Sequence, residues 1–147
     1  MMNDPAAPSV AARITQGVCR HFAALNWATL TEFRLGNQRR ADVCALDPRG
    51  RVVIVEVKSG PADFRSDGKW HEYAPYCDGF AFAVAPDFPL ALLPEDVGVL
   101  ITDGWQARPL RPWVETPLHA SRRKAVTLSF ARAAALRLAG RAEGDAL

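Results

Sequence analysis

The sequence predicts a mixed α/β fold: a helix, three strands, a second helix and a fourth strand, then a smaller strand-and-helix tail. Three observations predict it. Val10, Ile14, Val18, Phe22 and Leu25 recur at helical spacing near the start of the chain. Short apolar runs follow, punctuated by Gly36-Asn37, Asp47-Pro48-Arg49-Gly50 and Gly60-Pro61. The composition, 49% hydrophobic and 23% charged over 147 residues, is that of an ordinary globular domain with its own core.

Taken in order, residues 1–8 read as a loose leader and residues 9–141 as a single domain, with 142–147 a frayed tail. Ser9 is placed to cap a helix over 9–26. Residues 27–35, 40–46 and 51–58 read as three strands, close enough in sequence to form an antiparallel meander. A second helix is expected over 62–76, weakened by Gly68 and Pro75. It carries the chain to a strand over 79–85 that can join the sheet in parallel. A helical turn over 88–93 and an apolar strand over 97–102 come next, then an irregular or edge segment over 105–114. Ser121 is expected to cap a last helix ending near Gly140.

Several classes are excluded early. No apolar run approaches the roughly 18 residues of a membrane span. The first residues lack a charged-then-apolar secretion signal, so the expected location is cytoplasmic. Cys19, Cys44 and Cys77 form no CxxC pair and read as small buried hydrophobes. The net charge of +2 is too small by itself to imply a nucleic-acid partner. Lys58, Lys69 and Lys124 are the only lysines in an arginine-rich chain. A lysine pKa moves with its surroundings, whereas arginine stays protonated, so each is a candidate for chemistry.

The most informative stretch runs from Arg40 to Lys58. Asp47, Pro48 and Gly50 occupy positions i, i+1 and i+3 of a type I turn, and Gly50 can close a three-residue hairpin loop with a bulge. That turn sets Leu46 opposite Val52, Cys44 opposite Ile54 and Asp42 opposite Glu56. Directly opposed residues have Cβ atoms about 4.5–5.5 Å apart. Lys58 falls on the same face as the two carboxylates, and Ala41, Val43, Ala45, Val53, Val55 and Val57 form an apolar opposite face. Val52 to Val55 is apolar on both faces, as in a central strand. Opposed carboxylates at the end of such a strand repel each other unless a cation joins them. Hard oxygen ligands of this kind suit Mg2+ or Mn2+. Lys58 would then stand beside a bound water or a scissile phosphate. The plainer alternative is an exposed Glu56–Lys58 pair at a strand end.

Asp42 followed after a hairpin by Glu56-Val57-Lys58 resembles the PD-(D/E)XK nuclease superfamily, whose core has the same helix, three strands, helix and strand order. Ala41 stands where the motif's proline would be. The segment Asp63-Phe64-Arg65-Ser66-Asp67-Gly68-Lys69-Trp70, with Tyr73, Cys77-Asp78 and Arg39-Arg40-Ala41-Asp42, is similar to the MmcB-like bacterial DNA-repair proteins over residues 11–102.

The resemblance implies a restriction-endonuclease-like fold with a mixed sheet flanked by helices. It implies Asp42, Glu56 and the Val57 carbonyl as metal ligands, with Lys58 as the catalytic lysine. Many members add an acid from the first helix, where this chain has Gln16; Glu32 is the candidate replacement. A three-residue loop over 36–38 puts Glu32 opposite Asp42, whereas a two-residue loop turns it away. Lys69 either supports the site or lies on a solvated face with Asp63 and Asp67. His71 and His119 are isolated and read as non-ligands. Arg39 and Arg40 flank the carboxylates and suit backbone phosphates. Arg122, Arg123 and Lys124 oppose the dipole of the last helix; phosphate binding would offset that cost, and a solvated helix end is the commoner explanation.

The expected activity is metal-dependent hydrolysis of DNA phosphodiesters in bacterial repair. A dimer would be needed to cut both strands, and a repair protein is a further expected partner. Two rivals remain: a non-catalytic nucleic-acid or repair-partner binding module on the same fold, and a metal-dependent hydrolase acting on RNA or a nucleotide.

Overall fold

The computed structural model describes residues 7–66 and 69–140. Helix α1 (Val10–Ala24) leads into strands β1 (Ala28–Arg34), β2 (Arg40–Leu46) and β3 (Val52–Lys58). A short helix α2 (Pro61–Ser66) and a 3-10 helix (Trp70–Tyr76) connect β3 to β4 (Gly79–Val84). Strands β5 (Gly98–Thr102) and β6 (Ala107–Arg111) follow, and α3 (Ala120–Leu138) ends the fold. The six strands form one mixed sheet in sequence order. β1, β2 and β3 are antiparallel; β3, β4 and β5 are parallel; β6 returns antiparallel at the edge. This is the expected α/β architecture, with helices on both faces and an added C-terminal strand and helix. Among the described residues no helix is long and apolar enough to cross a membrane.

Each face of the sheet is closed by its own helix. Ile14, Val18 and Phe22 of α1 pack on Val43, Val53, Val55, Ala81, Ala83 and Leu100. Ser9 caps α1 as expected, its Oγ accepting the Ala12 N–H at 3.1 Å. α1 lies close to the sheet because Gly17 has no side chain: a Cβ there would fall 1.9 Å from Thr102 Oγ1. Val126 and Phe130 of α3 close the other face over Phe33, Ile54, Phe80 and Phe82. β3 is buried along its whole length, as a central strand must be.

Several expectations need correction. Val10 and Leu25 are half-exposed rather than buried, because Val10 opens the helix and Leu25 is its C-cap. The second helix is two short segments, not one over 62–76. The latter segment is 3-10 and contains Pro75, which cannot donate an i→i−4 bond. α3 begins one residue before Ser121, with His119 at the N-cap position and no side-chain cap bond. Residues 1–6, Asp67, Gly68 and the tail after Gly140 lie outside the described residues.

The β2–β3 turn forms as its sequence dictates. Asp47 and Arg51 close it through the Asp47 N–H to the Arg51 carbonyl at 3.0 Å, and Gly50 takes a φ of 89°. The β1–β2 hairpin uses the three-residue loop: the Leu35 N–H reaches the Arg39 carbonyl at 2.7 Å, and Gln38 has a φ of 71°.

A change of layer positions the site. Thr31 pairs with Val43 and Phe33 with Ala41, so Glu32 falls opposite Asp42. Val43 packs towards α1, but Ala41, Phe33 and Leu35 pack in the α3 layer. Both strands therefore swap faces at Glu32 and Asp42. This corrects the expected common face of Ala41 and Val43. Beyond the swap, the hairpin end docks on the 3-10 helix: Asn37 Nδ2 donates to the Glu72 carbonyl at 3.0 Å, and Tyr73 Oη to the Arg40 carbonyl at 3.3 Å.

Candidate active site

The hairpin ladder between β2 and β3 runs from Leu46–Val52 to Val43–Val55. There side chains take over from backbone. The Asp42 N–H donates to Glu56 Oε1 at 3.0 Å, and the Val57 N–H donates to Asp42 Oδ2 at 2.7 Å. The change of layer at Asp42 opens this space: the strands no longer present a regular pair, and two carboxylates fill the gap. The expected Asp42–Glu56 proximity holds, although the pair lies across the strand end rather than side by side on a flat face. In an extended strand a residue's N–H and C=O point to the same edge, so the Val57 carbonyl is also directed towards β2.

The electrostatics of the pair are unfavourable. Glu56 is 4% exposed. Burial pushes its pKa up to about 9, and the Asp42 charge adds to that rise. The Asp42 pKa is raised as well, by burial first; the Val57 N–H and the Glu56 carboxyl oppose the shift, while the charge of Glu32 adds to it. Two carboxyls that both resist ionisation share protons, or take up a cation.

Lys58 ends β3, is 5% exposed, and places Nζ 3.9 Å from Asp63 Oδ1. Asp63, in the first turn of α2, accepts the Ser59 N–H at 3.1 Å, so that turn is tied to the end of β3. Asp42, Val57, Lys58 and Asp63 line one cleft of about 650 Å3, shared with Gln16 and Thr15 of α1 and with Glu32. Gln16 thus lines the cleft from α1, the helix from which the resemblance implied an acid.

The three-residue loop puts Glu32 opposite Asp42, as one of the two alternatives required. Its carboxylate, however, is paired to Arg40, with Nε and Oε2 2.7 Å apart. Glu32 also has a φ of 51°, a left-handed conformation that costs energy for a residue with a side chain. Arg137 near the end of α3 offsets this cost, its Nη1 donating to the Thr31 carbonyl at 2.6 Å and its Nη2 to the Glu32 carbonyl at 3.0 Å. Sequence reasoning passed over Arg137 because its partners are more than a hundred residues away. It gave Asp63 little weight, although the spacing from Lys58 was readable once α2 was assumed to start at the strand end.

The other basic residues divide. Arg39 is paired to Glu72 on the 3-10 helix. Lys69 is exposed at the N-cap of that helix and is not among the residues lining the Asp42 cleft. Arg123 is committed to structure: it donates to Asp78 through both Nη atoms and to the Gly50 carbonyl at 2.6 Å. These partners stand at the opposite end of β3 from Lys58. Lys124 is exposed on α3, and Arg122 lies against Tyr76, its guanidinium carbon 4.3 Å from the ring centre.

The residues fit a divalent ion only partly. Asp42 and Glu56 offer hard oxygen donors, and each has one oxygen engaged by a backbone N–H. Among the described residues, no group of three or more His, Cys, Asp and Glu side chains is preassembled as a ligand set. A two-carboxylate set suits an ion that keeps several waters and takes substrate phosphate as a ligand, as Mg2+ does.

A mixed sheet of this order, helices on both faces and an Asp–Glu–Lys cluster at the end of the central strand have the form of a restriction-endonuclease-like core. The chain belongs to the DNA repair protein MmcB-like family, whose model matches residues 2–145; that description points to a role in DNA repair. Among solved structures it is similar to the SPO1766 protein of unknown function from Silicibacter pomeroyi. The two are 38% identical with a TM-score of 0.87, covering 90% of this chain and 91% of that one. No curated protein matches.

Proposed function

We propose that this protein is a metal-dependent DNA nuclease, with Asp42, Glu56 and Lys58 as its working residues. The observation that supports this most is the pair of mutually destabilising carboxylates behind a cleft that Asp42 and the buried Lys58 line. A purely structural strand end would give each carboxylate a cation of its own. Asp42 and Glu56 would hold Mg2+ or Mn2+, with the Val57 carbonyl as a further donor. The ion would supply Lewis-acid polarisation and a lowered water pKa. Lys58, positioned by Asp63, places positive charge where a phosphate develops negative charge. Arg40, paired to Glu32 on the cleft wall, and the adjacent Arg39 are the proposed contacts to the substrate backbone. DNA is the proposed partner and the bacterial cytoplasm the proposed setting.

Incubation of nicked, forked and linear DNA with Mn2+ tests the reading. Wild-type protein should cleave, and Lys58→Ala should lose at least a hundredfold in rate while keeping its fold. Equal cleavage by the two would remove Lys58 from the mechanism. A second reading, a binding module on the same fold, draws on the Glu32–Arg40 pair, which occupies a third carboxylate. DNA binding with no cleavage under any divalent ion would favour it.

A further inference from the structure

The Asp42 cleft does not end at Glu32. Glu32 also borders a second depression with Arg34, Gln38 and Arg40, and that depression shares Arg34, Leu35, Gly36 and Ser129 with a third. The third is a cavity of about 350 Å3 between the β1–β2 hairpin and α3. Its walls are mostly apolar, from Phe33, Leu35 and Val126, with Tyr76 and Arg122 beside them. It thus combines flat, apolar surface with guanidinium groups, on a path that leads back to the carboxylates.

Arg122 is the unusual wall. Its Nη1 is buried and has no hydrogen-bond partner. A buried donor without an acceptor costs about 1–3 kcal/mol, so Arg122 would gain from an acceptor brought into the cavity. The neighbouring Arg123 engages both Nη atoms within the fold, so an unmet Nη is not a general property of this helix turn.

We propose that the cavity bounded by Phe33, Tyr76 and Arg122 is a subsite for one unstacked nucleobase of single-stranded DNA, whose backbone continues past Arg34 and Arg40 to the Asp42 cleft. Three features select this occupant. Arginine and tyrosine are the side chains on which unpaired bases stack. Base rings carry the acceptors that Arg122 lacks. The arginines between the cavity and the cleft match a phosphate chain, whereas an acidic or apolar peptide would not need the path. A duplex cannot insert a base without unpairing it, so the subsite selects single strands or frayed ends. This deepens the nuclease reading by naming its substrate class.

The test uses binding alone, in EDTA, so that cleavage plays no part. Fluorescence anisotropy would compare a labelled 12-nucleotide single strand, the matching blunt duplex, and a single strand of abasic residues. Wild-type protein should bind the single strand at least tenfold more tightly than the duplex or the abasic strand. Arg122→Met should weaken single-strand binding about tenfold, and Ala125→Trp, which fills the cavity from an exposed helix position, should do the same. Both should leave duplex binding within twofold. Circular dichroism would confirm that each variant is folded, and Ser129→Trp would replace either that is not.

No preference for the single strand, or unchanged affinity in folded variants, would overturn the subsite. Equal affinity for the abasic strand would overturn base recognition and reduce the site to a phosphate contact. The two readings fail separately. Cleavage with unchanged variant binding would reject the subsite alone, and variant-sensitive binding without cleavage would reject the nuclease alone.

Discussion

The two ends of β3 treat buried carboxylates in opposite ways. At the N-terminal end, Asp78 accepts the Val52 N–H at 2.8 Å, the Leu118 N–H at 2.9 Å and both Nη atoms of Arg123. Burial works to raise its pKa, yet the Arg123 bond and the backbone donors together hold it below the usual carboxylate range. Asp47 nearby is lowered in the same way by Arg51, against the effect of burial. At the C-terminal end, Asp42 and Glu56 face each other, and both are raised. The same strand thus carries a solved electrostatic problem and an unsolved one. The first holds the fold together; the second is the feature on which the proposed cation site rests.

The contrast can be broken from either end. The largest effect is expected at the satisfied end. Asp78→Ala leaves Arg123 without its carboxylate and two N–H groups without an acceptor, which should cost about 3–5 kcal/mol in urea unfolding. A loss under 1 kcal/mol would mean the Arg123 network is dispensable. Next is Arg137→Met, which keeps the stem and removes two donors from the Thr31 and Glu32 carbonyls. The cost should be about 1–3 kcal/mol, with weakened Mn2+ affinity as the readout that a purely structural role would not move.

At the unsatisfied end the sign reverses. Glu56→Gln replaces a carboxyl that must take up a proton to be buried at pH 8 with a neutral amide, so the metal-free protein should gain at least about 1–2 kcal/mol at that pH. A clear loss would make Glu56 a structural residue. The pH dependence follows from the same shifts. Glu56 and Asp42 bind protons more tightly folded than unfolded. The stability they contribute is complete below the unfolded carboxylate pKa and is lost as pH rises towards about 9. The melting temperature of metal-free protein should therefore fall across that range. Glu56→Gln should flatten the fall and Mn2+ should reverse it. The smallest effect belongs to Glu32→Gly, which relieves the left-handed backbone at the cost of one ion pair. It should change stability by no more than about 1 kcal/mol in either direction.

Much of this contrast was legible in the sequence because it is local. Asp47-Pro48-Arg49-Gly50 sets the hairpin register, and that register brings Asp42 to Glu56. The buried run from Val52 to Lys58 marks a central strand. What could not be read depends on distant partners. No glycine or proline marks the change of layer at Glu32 and Asp42; Arg137 holds it from the far end of α3. Arg123 and Arg122 are adjacent in a basic run, and only packing shows that one is spent on Asp78 while the other is left facing a cavity. The helix expected over 62–76 is an α segment and a 3-10 segment, and Pro75, without an N–H to donate, stands in the second.

The central claim is that the Asp42–Glu56 pair is a cation site. Calorimetric titration of Mn2+ into the wild-type protein and the Glu56→Gln variant tests it most directly. Saturable binding to the wild type, with proton release as the carboxyls ionise, and at least tenfold weaker binding to the variant are the results predicted here. Equal binding by the two, or none by the wild type even with DNA present, would contradict it.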